Sequence, residues 1–218
     1  KYKFSNKLIS FNKFNSKKKM QTIIKYLKEG NSIAVVSDAG LPGICDPGED
    51  LVKESKLNNI DIICVPGPSA FLTALVCSGF ETSKFKFEGF FPKKIKERKK
   101  LLLEIQSNKN TTIIYESPHR LLNTLNELKE YCGGDRELQV FRELTKKYEE
   151  SIGRNIDEVI KNLKDREILG EFTIVIKGIE IKENPKFNEG YLKKELQELI
   201  NAGLTLSAAS KYLAKRED

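Results

Sequence analysis

Residues 33–48 read Ile33-Ala34-Val35-Val36-Ser37-Asp38-Ala39-Gly40-Leu41-Pro42-Gly43-Ile44-Cys45-Asp46-Pro47-Gly48. The apolar run predicts a buried strand over 33–37, and the turn after it holds three glycines, two prolines and two aspartates. Glycine lets main chain come close to a ligand, and proline fixes the path between such points. In an open α/β sheet, ligands sit at the carboxyl ends of strands. The arrangement recurs as Ile62-Ile63-Cys64-Val65 followed by Pro66-Gly67-Pro68-Ser69-Ala70. Two strand–loop–helix units in tandem are hard to explain as packing alone, and they point to an enzyme of the α/β class.

Working outward, a strand is expected at 7–11. Met20, Ile23, Ile24 and Leu27 mark one apolar helical face. Asp46-Pro47-Gly48-Glu49 combines an N-cap, a proline and a reciprocal glutamate, so a helix should open there. The next strand covers 60–65, and Ser69 caps a helix to about Cys77. Gly79 to Ser83 reads as a domain junction. Strands then fall at Phe85 to Phe91, Thr111 to Tyr115, 138–142 and Phe172 to Lys177. Ser117-Pro118 opens a helix with Leu121, Leu122, Leu125 and Leu128 inward, and Asn155 with Glu158 caps another. Residues 179–188 read as a linker before helical patterns at 190–201 and 206–215, either a plain hairpin or a helix-turn-helix-like unit. The expected domains are therefore 1–80, 81–178 and a tail of 179–218.

The chain has 218 residues, 39% hydrophobic and 32% charged, enough for a real core. No apolar stretch approaches the ~20 residues that span a bilayer, so no membrane partner is expected. Cys45, Cys64, Cys77 and Cys132 show no paired short spacing and read as buried free thiols in a reducing, cytoplasmic compartment. His119 is the only histidine, so no zinc site built on several imidazoles is possible, and no metal is expected. A serine–histidine triad would have only His119, one residue into a helix start.

The net charge of +7 is concentrated: residues 1–30 carry nine lysines against Glu29 alone. A second basic run holds Lys93, Lys94, Lys96, Arg98, Lys99 and Lys100. Such clusters attract polyanions by counterion release, although a solvated surface shows the same composition. The chain begins with Lys1, and its only methionine, Met20, falls inside a helical pattern. A preceding natural segment is therefore expected.

The Asp38–Gly48 loop lacks the Gly-Lys-Ser/Thr of a Walker loop and the spacing of the dinucleotide fingerprint, so ATP hydrolysis and nicotinamide chemistry drop out. Asp38 suits a ribose hydroxyl or a cation; as a turn-former it would bond its own backbone instead.

Six motifs in order carry a resemblance. They are Ser37-Asp38-Ala39-Gly40-x-Pro42-Gly43-Ile44-x-Asp46-Pro47-Gly48, Pro66-Gly67-Pro68-Ser69-Ala70, Phe87-Glu88-Gly89-Phe90, Tyr115-Glu116-Ser117-Pro118-His119-Arg120-Leu121, Arg142-Glu143-Leu144-Thr145-Lys146 and Gly170-Glu171-Phe172. Together they resemble the ribosomal RNA small subunit methyltransferase I group of the tetrapyrrole-methylase superfamily. The resemblance implies two α/β domains with an S-adenosylmethionine cleft between them and a helical tail. It also implies 2′-O-methylation of a cytidine ribose in small-subunit ribosomal RNA, and a homodimer. It places Asp38, Ala39 and Gly40 on one cofactor loop and Pro66, Gly67, Ser69 and Ala70 on the other. Tyr115, Glu116, Ser117, Glu171 and Phe172 would close the cleft.

The family's opening Gly-Thr-Pro-Ile-Gly-Asn-Leu-type loop and Cys-Glu-Asp-Thr-Arg-type segment are missing, and with them a core strand. Phe11-Asn12-Lys13-Phe14-Asn15 stands where the family usually has a histidine. The chain alone is therefore open to being inactive. The other readings are a tetrapyrrole C-methyltransferase, which the basic runs disfavour, and a non-catalytic RNA-binding relic.

Methyl transfer from a sulfonium needs the acceptor oxygen held in line with the leaving sulfur. A ribose hydroxyl also needs a base or electrostatic help, for which Glu116, Glu143 and Lys146 stand at strand ends. Arg120, Lys146 and the 93–100 run suit phosphate contacts. Phe87 is expected in the core, and Phe91, beside Pro92, at the surface.

Overall fold

One mixed sheet organises the larger part of the chain. Its strands are β1 (Phe85–Phe90), β2 (Thr111–Glu116), β3 (Leu138–Arg142), β4 (Glu150–Ile152) and β5 (Phe172–Ile176), in the order β1-β2-β5-β3-β4. This is seen in a computed structural model that describes residues 5–12, 15–180 and 189–217. β1 runs parallel to β2, while β5 lies antiparallel to both β2 and β3, and β4 antiparallel to β3. The carboxyl ends of β1, β2 and β3 therefore share one edge with the amino ends of β4 and β5.

Helices cover both faces. On one face lie α4 (Ile95–Ser107), α5 (Pro118–Cys132) and α6 (Ile156–Leu163). Leu121, Leu125 and Leu128 of α5 are fully buried with Leu102, Ile114, Ile174 and Val159. Each such side chain contributes roughly 1.5–3 kcal/mol. Ser117 and Pro118 start α5 as expected, and the Asn155 carboxamide accepts from Glu158 N at 2.9 Å to cap α6. The other face holds α3 (Ala70–Ser78), whose Ala74 and Leu75 pack with Ile113, Phe141 and Val175.

Ahead of α3, α1 (Ser16–Lys28) and α2 (Glu49–Leu57) join through Ile23, Ile24 and Leu51. α2 starts at Glu49 with Gly48 as its N-cap and no side-chain cap, so Asp46 does not cap it. Gly48 (φ +156) belongs to the turn, and a Cβ there would lie 3.2 Å from the Gly43 backbone.

The strands expected over 7–11, 33–37 and 60–65 do not form. A strand requires a ladder partner, and none of the three joins a sheet among the described residues. Phe11, Ile33 and Ile60 pack against the α1–α2 cluster, while other apolar side chains stand in solvent, Val36 82% and Ile63 89% exposed. The same lack of a partner leaves Cys64 exposed. Cys45 and Cys77 are exposed too, on a turn and on the outer side of α3, and Cys132 is half-buried, so none of the four thiols is fully buried as expected. Phe91 is 1% exposed and Phe90 60%, the reverse of the expected surface role for Phe91. An irregularity in register between Phe87 and Phe90 changes which face each side chain meets.

The chain divides into two units, Lys1–Ile179 and Glu180–Asp218. In the second, α7 (Glu189–Asn201) and α8 (Leu206–Glu217) pack on each other around Gly203, which takes φ +98. Most of the expected linker, 181–188, lies outside the described residues, as do Lys13 and Phe14. No helix among the described residues is long and apolar enough to cross a membrane.

Candidate active site

The ends of β1, β2 and β3 and the start of β5 bring four of the six motifs to the shared edge. Register places Phe90 opposite Tyr115, Glu116 opposite Phe172, Phe172 opposite Arg142 and Arg142 opposite Glu150. Two contacts bring the amino-terminal loops to the same edge. The Phe71 amide, at the start of α3 and one residue past the 66–70 loop, donates to the Tyr115 hydroxyl at 3.2 Å. Gly89 approaches the other loop so closely that a Cβ on it would sit 3.1 Å from Cys45 Sγ. Both loops present open backbone: a Cβ on Gly40 or Gly67 would meet nothing within 4 Å.

Tyr115 is the hub. Phe87 and Phe90 lie edge-on to its ring at 5.0 and 5.6 Å, and Phe71 stacks on Phe87 at 4.3 Å. Burial pushes its hydroxyl up to about 12, and the nearby charges of Asp46 and Glu171 add to this. Tyr115 is therefore a neutral donor and acceptor, not a base.

Glu116 is buried, its side chain 1% exposed, and both oxygens are engaged. One accepts from the Ser117 amide at 2.7 Å and the Ser117 hydroxyl at 3.3 Å. The other accepts from Thr124 Oγ1 at 2.7 Å and lies 3.2 Å from Arg120. Arg120 in turn donates to the carbonyls of Phe91 and Pro92 at 2.8 and 3.0 Å. This chain ties the end of β2 to the end of β1.

Glu143, Lys146 and Glu171 form a second cluster. The Lys146 ammonium bridges Glu143 at 3.1 Å and Glu171 at 2.9 Å. The Glu171 amide donates to the Glu143 carboxylate at 2.8 Å, and the Glu143 amide returns a bond to the Glu171 carbonyl at 2.9 Å. The Glu171 amide and Lys146 hold the Glu143 carboxyl below its usual range. Burial would lower Lys146, but its bonds to Glu171 and Glu143 prevail and raise it. A depressed carboxyl stabilises the fold above its ordinary 4.5 and loses that contribution as pH falls through the lowered value. A raised ammonium contributes fully below 10.5 and fades as pH rises through the higher value. The cluster is thus intact between these limits. The stability difference between the natural chain and Glu143→Gln, followed by urea unfolding, should be largest near neutrality and vanish in acid. A difference constant across pH would remove the ionic account.

Of the basic run, Arg98 is paired with Glu127, Lys94 with Glu97 at 3.1 Å and Lys100 with Glu104 at 3.9 Å. Lys93, Lys96 and Lys99 are exposed. Asp38 and Ala39 are exposed, and the Ser37 hydroxyl donates to the Ala39 carbonyl at 3.1 Å. A separate groove of about 830 Å³ between α1 and α2 is lined by lysines offset by Glu29, Asp50 and Glu54, and shares no residue with the strand edge. No group of three or more metal-ligating side chains occurs among the described residues. Sequence reasoning missed Thr124 and Glu149 as partners of site residues. Thr124 follows Glu116 by two helical turns into α5, a spacing visible only once Ser117 is known to open that helix.

Residues 5–160 match the family model of the tetrapyrrole (corrin/porphyrin) methylases. The ribosomal RNA small subunit methyltransferase I of Synechocystis sp. is 41% identical over 95% of this chain and 74% of its own length. That of Thermotoga maritima is 44% identical over 83% of this chain and 80% of its own length. Among solved structures, uroporphyrin-III C-methyltransferase from Thermus thermophilus, complexed with S-adenosylhomocysteine, is similar in fold. It has a TM-score of 0.51 and 15% identity, over 74% of this chain and 73% of that one. With identities of this size over most of both lengths, the chain belongs to the tetrapyrrole methylase family and, within it, to the ribosomal RNA small subunit methyltransferase I group.

Proposed function

We propose that the chain transfers a methyl group to the ribose 2′-oxygen of a cytidine in small-subunit ribosomal RNA. The observation that carries this is the convergence of both glycine-proline loops on the Tyr115 edge through Phe71 and Gly89. S-adenosylmethionine, when bound, supplies an electrophilic methyl on a sulfonium. The residues fit such a group: open backbone at Gly40 and Gly67, an aromatic wall at Tyr115 and Phe90, and carboxylates of Asp38, Asp46 and Glu171 to favour a cation. Asp38, Ala39, Gly40, Pro66, Gly67, Ser69 and Ala70 hold it, with Tyr115, Ser117, Glu171 and Phe172 closing the site.

Among the three acid–base candidates the roles divide. Glu116, with every oxygen engaged, positions Arg120 and the two strand ends. Glu143, held in its charged form, is a weak base at neutral pH and orients Lys146. Lys146 stays an ammonium and donates to the acceptor strand, at the ribose oxygen or its phosphate. Lys93, Lys96 and Lys99 meet backbone phosphates, and the paired Lys94, Arg98 and Lys100 contribute to the field around them. Arg120 acts through the Phe91 and Pro92 carbonyls that follow β1. The setting is cytoplasmic, and the working form a homodimer.

Calorimetry of S-adenosylmethionine with the chain, Asp38→Ala and Ser69→Tyr tests the loops. Each variant should bind at least tenfold more weakly with RNA affinity unchanged, and unchanged cofactor affinity in both would remove the loop assignment. Labelled small subunits should yield 2′-O-methylcytidine on nucleoside digestion. Label appearing on a tetrapyrrole and not on RNA would replace the substrate.

A further inference from the structure

The turn from Glu143 to Glu149 is backbone-strained on either side of Leu144, which is buried in the cluster with Phe141 and Val175. Glu143 (φ 49) and Thr145 (φ 65) both take left-handed conformations without being glycine. Such residues persist only where their surroundings over-determine them, and they collect at functional sites. Here the surroundings do so. Glu143 is bonded to Glu171 through main chain and side chain, the Lys146 amide donates to the Glu143 carbonyl at 3.0 Å, and the Thr145 amide donates to the Glu149 carboxylate at 2.6 Å.

The result is a fixed projection at the carboxyl end of β3 that carries Lys146, Lys147 and Tyr148 into solvent. Tyr148 is 62% exposed, and Lys147 Nζ sits over its ring, 5.3 Å from the centroid. An aromatic ring left in water with an ammonium beside it is the pair that base stacking next to a phosphate uses. The projection adjoins the reaction edge, because its Lys146 is bonded to Glu171, the neighbour of Phe172, which pairs with Glu116 and Arg142 there.

We propose that this turn is a stacking finger for the substrate strand. Tyr148 stacks on an unpaired base beside the acceptor nucleotide, and Lys147 meets the adjoining phosphate. The ligand is single-stranded RNA, since a base inside a duplex has both faces covered. This inference rests on the RNA methyltransferase reading.

The test uses the full chain and a small-subunit RNA fragment in which unpaired purines are replaced one at a time by 2-aminopurine. Tyr148→Ala should weaken RNA binding about tenfold, while Tyr148→Phe stays within about twofold because the ring remains. One 2-aminopurine position should be quenched by the natural chain and by Tyr148→Phe, and not by Tyr148→Ala. Lys147→Ala should reduce the salt slope by about one. Cofactor affinity and melting temperature should be the same in all. RNA binding by Tyr148→Ala equal to the natural chain, or a Tyr148→Phe variant as weak as the alanine, overturns the finger while leaving RNA recognition standing. If the natural chain shows no salt-dependent RNA affinity, the RNA reading fails and this proposal with it.

Discussion

Glu116→Ala should lower the stability of the chain by about 3 kcal/mol, close to the cost of removing one partner from a buried ion pair. The side chain is almost fully buried and serves the Ser117 amide and hydroxyl, Thr124 Oγ1 and Arg120. Alanine leaves a buried hydroxyl and an amide at the start of α5 without their acceptor, and Arg120 without its counter-charge. Because Arg120 also holds the Phe91 and Pro92 carbonyls, the loss should spread to the edge where the loops meet. Glu116→Gln keeps one acceptor for Ser117 and should cost only about 1 kcal/mol, one ordinary hydrogen bond. Urea unfolding of both variants with methyl-transfer assays separates two roles. An alanine variant as stable as the natural chain but dead in transfer would make Glu116 a direct participant and overturn the positioning role.

Gly170→Ala should be nearly as damaging, at about 2–4 kcal/mol. Gly170 takes φ +101, where an L side chain is strained. An added Cβ would also lie 2.7 Å from Glu143 Cγ and 2.9 Å from its Oε1. The Glu143 side chain cannot swing aside cheaply, since the Glu171 amide and Lys146 both hold it. The substitution should therefore release Lys146 and lower methyl transfer with stability. Full activity in Gly170→Ala would show that the Glu143–Lys146–Glu171 cluster is not needed for the reaction.

Much of this arrangement was legible beforehand. Helices with clear apolar periods or end signals formed where expected, as α5 from Ser117-Pro118 and α6 from the Asn155–Glu158 cap. These depend on contacts within four residues, which a sequence states directly. The missing strands involve a distant partner. Val36 and Ile63 are as apolar as a buried strand requires, yet burial depends on a neighbouring strand. Asp46 has the chemistry of an N-cap, but the turn made by Gly43 and Gly48 moves the cap two residues on, to Gly48.

The sequence by itself determined which loops could admit a ligand and which strand ends would carry charge, because glycine, proline and local capping act over a few bonds. Only the tertiary structure decided what those charges do. Phe71 reaches Tyr115 across 44 positions and Glu143 reaches Glu171 across 28. The β5 strand inserted between β2 and β3 brings Glu171 to both. Whether a carboxylate is a free base or a spent acceptor depends on which donors surround it, and that is set by sheet order, not by spacing along the chain.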